Sequence, residues 1–217
     1  MNGYLRAAIF DLDGTLVDSV RGIALAVNGA LADFSLPARS LAEVESFIGH
    51  GLRRTLASAA PGDFAERDLE ALEARFMEIY RERWAEGTEA FAGVWECLED
   101  LAAAGVSLGV LSNKTHEFTV AIVEKLFPGI SFREVWGQRE GVAKKPDPAA
   151  LLAMAEGWGV APEEAAYVGD SGVDLETARR AGMRPVIVDW GYNTPELREG
   201  ERLVGELAEL RGLFAGS

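Results

Sequence analysis

The sequence predicts a doubly wound, Rossmann-like α/β core on a parallel sheet, interrupted after its first strand by an inserted all-helical cap. Three observations predict it. Short continuous apolar runs (Ala7-Ala8-Ile9-Phe10, Val106 to Leu111, Ala165 to Val168, Pro185 to Val188) are separated by segments of helical period, the pattern of strands covered on both faces. Between Ser19 and Gly87 nothing alternates like a strand. Each of four predicted strands also runs into a polar cluster, and in such sheets ligands bind at the carboxyl ends of the strands.

The elements follow in order. Residues 5–10 form strand one. From Ser19 the period turns helical, with Val20, Ile23, Val27, Leu31 and Phe34 at three- and four-residue spacing. Ser40 and Glu43 form a capping box ahead of Leu41, Val44, Phe47 and Ile48. Gly49-His50-Gly51 interrupts, and Leu52, Leu56 and Ala59 resume one face as far as Pro61-Gly62. Leu69, Leu72, Phe76, Ile79 and Tyr80 then carry a long helix that fades at Gly87. The core resumes with a helix marked by Val94, Leu98 and Leu101, a strand over 106–111, and a helix over 115–127. A short strand over 134–136 follows, then a helix over 148–158, a strand over 165–168, a helix over 175–181 and a strand over 185–188. Residues 202–213 are expected to add a last short strand and helix. The division expected is 1–17 with 92–217 for the core and 18–91 for the cap.

At 217 residues, 48% hydrophobic and 26% charged, the chain has the composition of a soluble globular protein of one large domain or one domain with an insertion. No apolar stretch approaches the roughly 20 residues of a membrane helix, and strand-like sequence begins too early to leave room for a signal peptide. A single cysteine, Cys97, permits no intrachain disulfide and suits a reducing, cytoplasmic setting; its place on an apolar helix face marks it as core. A net charge of −14 argues against nucleic acid as a partner, since that affinity comes from Lys and Arg neutralising phosphates. It does not exclude a small phosphorylated substrate, because a site can be locally positive in an acidic protein. Monomer and homodimer are both open.

The polar clusters carry the chemistry. Strand one delivers Asp11 and Asp13. Two carboxylates about 4 Å apart repel by roughly 4 kcal/mol at an effective dielectric near 20, so this pair demands a cation. Strand 106–111 delivers Ser112-Asn113-Lys114, the loop after 134–136 carries Lys144-Lys145-Pro146-Asp147-Pro148, and strand 165–168 delivers Gly169-Asp170-Ser171-Gly172-Val173-Asp174. Convergence of Asp11, Asp13 and Asp170 would gather hard oxygen ligands suited to Mg²⁺. A hydroxyl and amide at Ser112 and Asn113, with the Lys145 ammonium, would neutralise the non-bridging oxygens of a phosphoryl group. Lys114 is read as a solvated or supporting residue, His116 as structural, and Trp190 and Tyr192 as loop packing.

These motifs together resemble the haloacid dehalogenase superfamily of phosphatases over nearly the whole chain, and within it the phosphoglycolate phosphatase subgroup. The matching residues run from Asp11-Leu-Asp13-Gly14 to Ser19, Leu111 to Lys114, Lys145 to Pro148 and Val168 to Asp174; Ala181-Gly182-Met183 and Trp190-Gly191-Tyr192-Asn193 are similar to the subgroup. The resemblance implies that Asp11 attacks phosphorus to form an aspartyl-phosphate and that Asp13 is the acid and then the base. It implies Mg²⁺ on Asp11, on Asp13 through its backbone carbonyl, and on Asp170, with Asp174 acting through water or in support. Ser112 and Lys145 would hold the phosphoryl group, and Gly14 would let backbone approach it closely.

The resemblance also narrows the reaction. An acid at Asp13 favours phosphoryl chemistry over dehalogenation. Residues 19–87 contain no lysine, which removes the Schiff-base chemistry of phosphonoacetaldehyde hydrolases and separates the chain from sugar phosphomutases, the nearest alternative. A catalytically silent binding protein would be expected to lose Asp11, Asp13 or Asp170. Phosphate-ester hydrolysis is therefore expected, with 2-phosphoglycolate leading and nucleotide monophosphates, pyrophosphate and sugar phosphates open. The helical insertion is expected to close as a lid. In it His50 or Arg53 is the candidate reader of the substrate's non-phosphate end, an arginine fork suiting a carboxylate.

Overall fold

A computed structural model of the chain describes residues 5–62, 64–199 and 201–214. Its elements in chain order are β1 (Ala7–Phe10), β2 (Val17–Asp18), α1 (Val20–Asp33), α2 (Leu41–Phe47), α3 (Leu52–Ala59), α4 (Glu66–Arg83) and β3 (Glu89–Ala90). Then come α5 (Val94–Ala103), β4 (Ser107–Thr115), α6 (His116–Leu126), β5 (Phe132–Gln138) and α7 (Ala149–Trp158). The chain ends through β6 (Ala165–Gly169), α8 (Gly172–Ala181), β7 (Arg184–Val188), β8 (Arg202–Val204) and α9 (Leu207–Phe214).

Six strands form one parallel sheet in the order β5-β4-β1-β6-β7-β8. Alternation along the strands sends Ala8 and Phe10 to one face, packed with Cys97, Leu98 and Leu101 of α5 and Ile122 of α6. Ala7 and Ile9 go to the other, against Leu151 and Met154 of α7 and Ala178 of α8. Both faces are buried, which is why these strands are continuously apolar.

Helices α1 to α4 gather a separate core: Val27 and Leu31 of α1, Val44 of α2, Leu56 of α3, and Leu72, Phe76 and Tyr80 of α4 are all buried together, with Phe118 of α6 joining from the sheet side. The Ser40–Glu43 capping box is formed in both directions at the start of α2. An antiparallel two-strand ladder, Val17 opposite Ala90 and Asp18 opposite Glu89, ties together the two chain segments that lead into and out of these helices. Strands of two residues are too short for alternation to announce them.

Two further differences concern the site. Strand β4 does not stop at Leu111 but runs on to Thr115, and its ladder with β5 passes from Leu111–Trp136 to Thr115–Gln138. Three residues on β4 thus lie opposite one on β5, so Ser112, Asn113 and Lys114 arch out of the ladder as a bulge. Helix α8 begins at Gly172 rather than Leu175, because Ser171 caps it with Asp174 as the reciprocal partner.

Candidate active site

The site is assembled at the ends of four adjacent strands, β5-β4-β1-β6. Register pairs Phe10 with both Val110 and Val168, so Asp11 leaves β1 level with the end of β4 on one side and of β6 on the other. Crossovers run in opposite directions from this point, which opens a crevice at the carboxyl edge. Asp11, Asp13, Ser112, Asn113, Lys145, Asp170 and Asp174 are all buried there.

Asp11, Asp170 and Asp174 each offer one carboxylate oxygen within 4.8 Å of the others. Lys145 reaches into this group, its Nζ 2.9 Å from Asp11 Oδ1 and 2.7 Å from Asp174 Oδ1. Burial pushes Asp170 up to about 8, reinforced by the charges of Asp174 and Asp11. Burial likewise raises Asp11 to about 6, with Lys145 opposing and Asp174 adding to the rise. Lys145 loses hydration too, yet Asp11 and Asp174 hold it above the usual lysine range. The carboxylate of Asp13 faces elsewhere: it accepts from Ser19 Oγ and from Lys114 Nζ, 3.1 and 3.2 Å from its two oxygens. Four carboxylates and two ammonium groups leave two negative charges, which a divalent cation would balance.

Backbone close to these groups must be glycine. Gly14 has φ +81°, and a Cβ there would fall on the Asp170 carboxylate; a Cβ at Gly169 would fall on Asp174 and one at Gly191 on Asp170. Gly14 therefore makes room for a side chain of the site, in addition to any approach it allows a phosphoryl group.

Several expected roles change in the folded chain. Asn113 is not free to meet a ligand through its amide: Nδ2 donates to Gly49 O at 3.0 Å and to Lys145 O at 3.2 Å, while Oδ1 accepts from Lys145 N at 2.9 Å. It holds the Lys145 loop and the helical insertion to β4. Asp174 has donors on both oxygens, from Lys145 and Tyr167 on Oδ1 and from Ser171 on Oδ2. Arg53 is turned away from the cavity above Asp11, its guanidinium held by Glu66 and by Glu73 at 2.6 Å. His50 is exposed and opens onto a different cleft beside α8, with Pro146 and Glu176. Lys114 is not solvated: its side chain is 7% exposed and paired with Asp13.

Tyr192 does more than fill a loop. Its hydroxyl accepts from the peptide N–H groups of Ser19 and Val20 and donates to Asp18, and its own peptide N–H donates to Asp170 Oδ2. Trp190 Nε1 donates to Thr15 O beside it. In the sequence these residues show as two aromatics following a strand, within the run Trp190 to Asn193 that is similar to the subgroup.

Residues 8–188 match the family model described as haloacid dehalogenase-like hydrolase. The chain belongs to that family. Among relatives of this haloacid dehalogenase-like hydrolase, phosphoglycolate phosphatase 1 of Pseudomonas aeruginosa is 39% identical over 87% of this chain and 71% of its own. The phosphoglycolate phosphatase of Escherichia coli O157:H7 is 36% identical over 88% of this chain and 84% of its own. A crystal structure from Lactobacillus delbrueckii, provisionally named a phosphoglycolate phosphatase, superposes with a TM-score of 0.89 at 26% identity, over 99% of this chain and 100% of that one. The protein is thus an enzyme, a haloacid dehalogenase-like hydrolase resembling the phosphoglycolate phosphatases, which are phosphoric monoester hydrolases. Among the described residues no helix is long and apolar enough to cross a membrane.

Proposed function

We propose that this enzyme hydrolyses small phosphate monoesters, 2-phosphoglycolate foremost, by passing the phosphoryl group through Asp11. The observation that carries the proposal is the buried meeting of Asp11, Asp170 and Asp174 with the Lys145 ammonium at the carboxyl edge of the sheet. The relatives' names support the choice of ester.

The donor set fits Mg²⁺. It is all oxygen, it carries a surplus of negative charge, and Asp11 Oδ1 is buried without a hydrogen-bond donor of good geometry. Asp11 and Asp170 would hold the ion, with the backbone carbonyl of Asp13; Asp174, saturated by Lys145, Tyr167 and Ser171, supports them. When bound, the ion supplies positive charge that offsets the phosphoryl oxygens and keeps Asp11 ionised.

The chain's own groups then account for the steps. An Asp11 oxygen bonds to phosphorus as the ester P–O bond breaks, and Asp13 gives its proton to the departing oxygen. Asp13 next takes a proton from water, whose oxygen bonds to phosphorus; the Asp11–phosphorus bond breaks and inorganic phosphate leaves. Ser19 and Lys114 orient the Asp13 carboxylate throughout. Lys145 has three donors, of which one goes to Asp174 while Asp11 is held as an ion pair at 2.9 Å, so at least one remains for a phosphoryl oxygen beside the Ser112 hydroxyl. Residues 18–91 act as a lid on the β2–β3 ladder, excluding water from the site.

The test is turnover of p-nitrophenyl phosphate with and without Mg²⁺, alongside Asp11→Asn. The expected result is dependence on both; activity surviving both chelation and the substitution would reject the proposal.

A further inference from the structure

We propose that Lys114 and Tyr80 form the subsite that takes a carboxylate on the substrate's leaving group, making them the determinants of ester choice. This rests on the phosphatase reading above and adds to it the residues that recognise the organic end.

A cavity of about 60 Å³ lies directly over Asp11 and Asp13, between the sheet edge and the helical insertion. On the same measure one water needs about 10–15 Å³, so the cavity admits a group of only a few heavy atoms. The insertion's share of the wall is nearly all apolar, with Ile23, Ile48, Leu52 and Phe76 facing Phe118 of α6. Thr55 also lines it, but its hydroxyl already donates to backbone at Phe47 and Gly51. A carboxylate placed against such a surface without a partner would be costly. Among the described residues lining this cavity, the one cation is Lys114.

Two further observations assign it a purpose. Of the three ammonium donors, Asp13 takes at most two through contacts at 3.1 and 3.2 Å. At least one donor is left, and Tyr80 is the other polar side chain that Lys114 meets. Above it stands Tyr80, 1% exposed, its ring 4.9 Å from the Lys114 ammonium. The ring is fixed by stacking on Phe76 at 5.1 Å and by the edge contact with Phe118 at 4.7 Å. Its hydroxyl has no hydrogen bond of good geometry among the described residues despite full burial, although Lys114 and Thr88 stand near it. A buried orphan hydroxyl is costly and rare, and a ligand oxygen would satisfy it. One donor from the core and one from the insertion thus converge beside the residue that protonates the leaving oxygen. That placement suits an acid whose carboxylate is one or two carbons from the ester oxygen, and it couples recognition to a closed lid.

The experiment compares 2-phosphoglycolate with ethyl phosphate, which has the same carbon count and no carboxylate, by KM and kcat. The wild type is expected to favour 2-phosphoglycolate in kcat/KM by about a hundredfold, on the strength of two charge-assisted hydrogen bonds. Tyr80→Phe is expected to raise KM for 2-phosphoglycolate about tenfold and to leave KM for ethyl phosphate within about twofold. Lys114→Met is expected to lower kcat for both esters through its contact with Asp13, and also to abolish the preference between them. Equal losses on the two esters in both variants would overturn the inference, as would a wild type without preference, while leaving the phosphatase reading intact. A wild type inert towards every ester would overturn that reading and this inference with it.

Discussion

Tyr192 donates its peptide N–H to Asp170 Oδ2 at 2.7 Å while its phenol, at the other end of the same residue, accepts from Ser19 N at 2.8 Å and donates to Asp18 Oδ1 at 3.0 Å. One residue on the core therefore grips both an acidic side chain of the site and the linker through which the helical insertion begins. Ser19 in turn hydrogen-bonds the Asp13 carboxylate. Placement of Asp170, of Asp13 and of the linker is mechanically joined.

The first prediction follows from that junction. Tyr192→Phe keeps the ring and removes the hydroxyl, leaving the Ser19 N–H without its acceptor, while Val20 N–H retains Asp18 Oδ1 at 3.3 Å. Buried groups stripped of a partner cost about 1–3 kcal/mol each, so urea denaturation should show a loss of that order. An unchanged midpoint would mean that water replaces the phenol freely.

Asp11→Asn separates the chemistry from the fold. A carboxamide is a poor nucleophile, so kcat should fall by at least about a thousandfold. Asp11 is already raised to about 6 by burial and by its neighbours, and removing its charge relieves the crowding. The metal-free variant is therefore expected to melt at or above the wild-type temperature at pH 8. A large drop in Tm would contradict this account of the site's electrostatics.

Stability and pH should be linked through Asp170. Its carboxyl is raised from 3.8 to about 8 by burial and by the charges of Asp174 and Asp11. Between those values the metal-free folded state holds a proton that the unfolded chain has released, so the unfolded state binds fewer protons and stability falls as pH rises. Asp11 contributes in the same direction between 3.8 and about 6. Mg²⁺, by favouring the ionised carboxylates, should reverse the trend. The rise in Tm on adding Mg²⁺ is expected to be small near pH 5 and largest above pH 8; a rise independent of pH would place binding elsewhere.

Arg53→Ala is expected to leave KM for 2-phosphoglycolate within about twofold. Its guanidinium is engaged by Glu66 and Glu73 on α4, partly exposed pairs of a kind worth about 1 kcal/mol or less. A large KM effect confined to carboxylated esters would return Arg53 to the substrate and displace Lys114.

Much of this architecture was legible before folding was considered. Four strands buried on both faces need continuous apolar runs, and the runs at Ala7, Leu108, Ala165 and Val186 supplied them. Clusters after three of those strands and after the short run at 134–136 marked the carboxyl edge, since chain order alone puts Asp11, Ser112, Lys145 and Asp170 there. The capping box at Ser40 and Glu43 is a local interaction and was visible as one.

The unread parts are those whose partners lie far away in sequence. Lys114 and Arg53 look equally solvent-bound as letters, yet one is buried against Asp13, 101 residues away, and the other sits on Glu66 and Glu73. Asn113 carries the amide a ligand would need, but the bulge in β4 spends it on Gly49 and Lys145. The short β2–β3 ladder and the reach of Tyr192 to Ser19, 173 residues back, leave no periodic trace.

Sequence alone determined the layers, the insertion point and the kind of chemistry, because burial pattern and acid placement are properties of each segment taken singly. Only the tertiary structure decided which cation faces which acid and which hydroxyl is left without a partner. Hydrogen bonds and ion pairs act within about 3 Å, and that proximity exists only once distant strands are laid side by side.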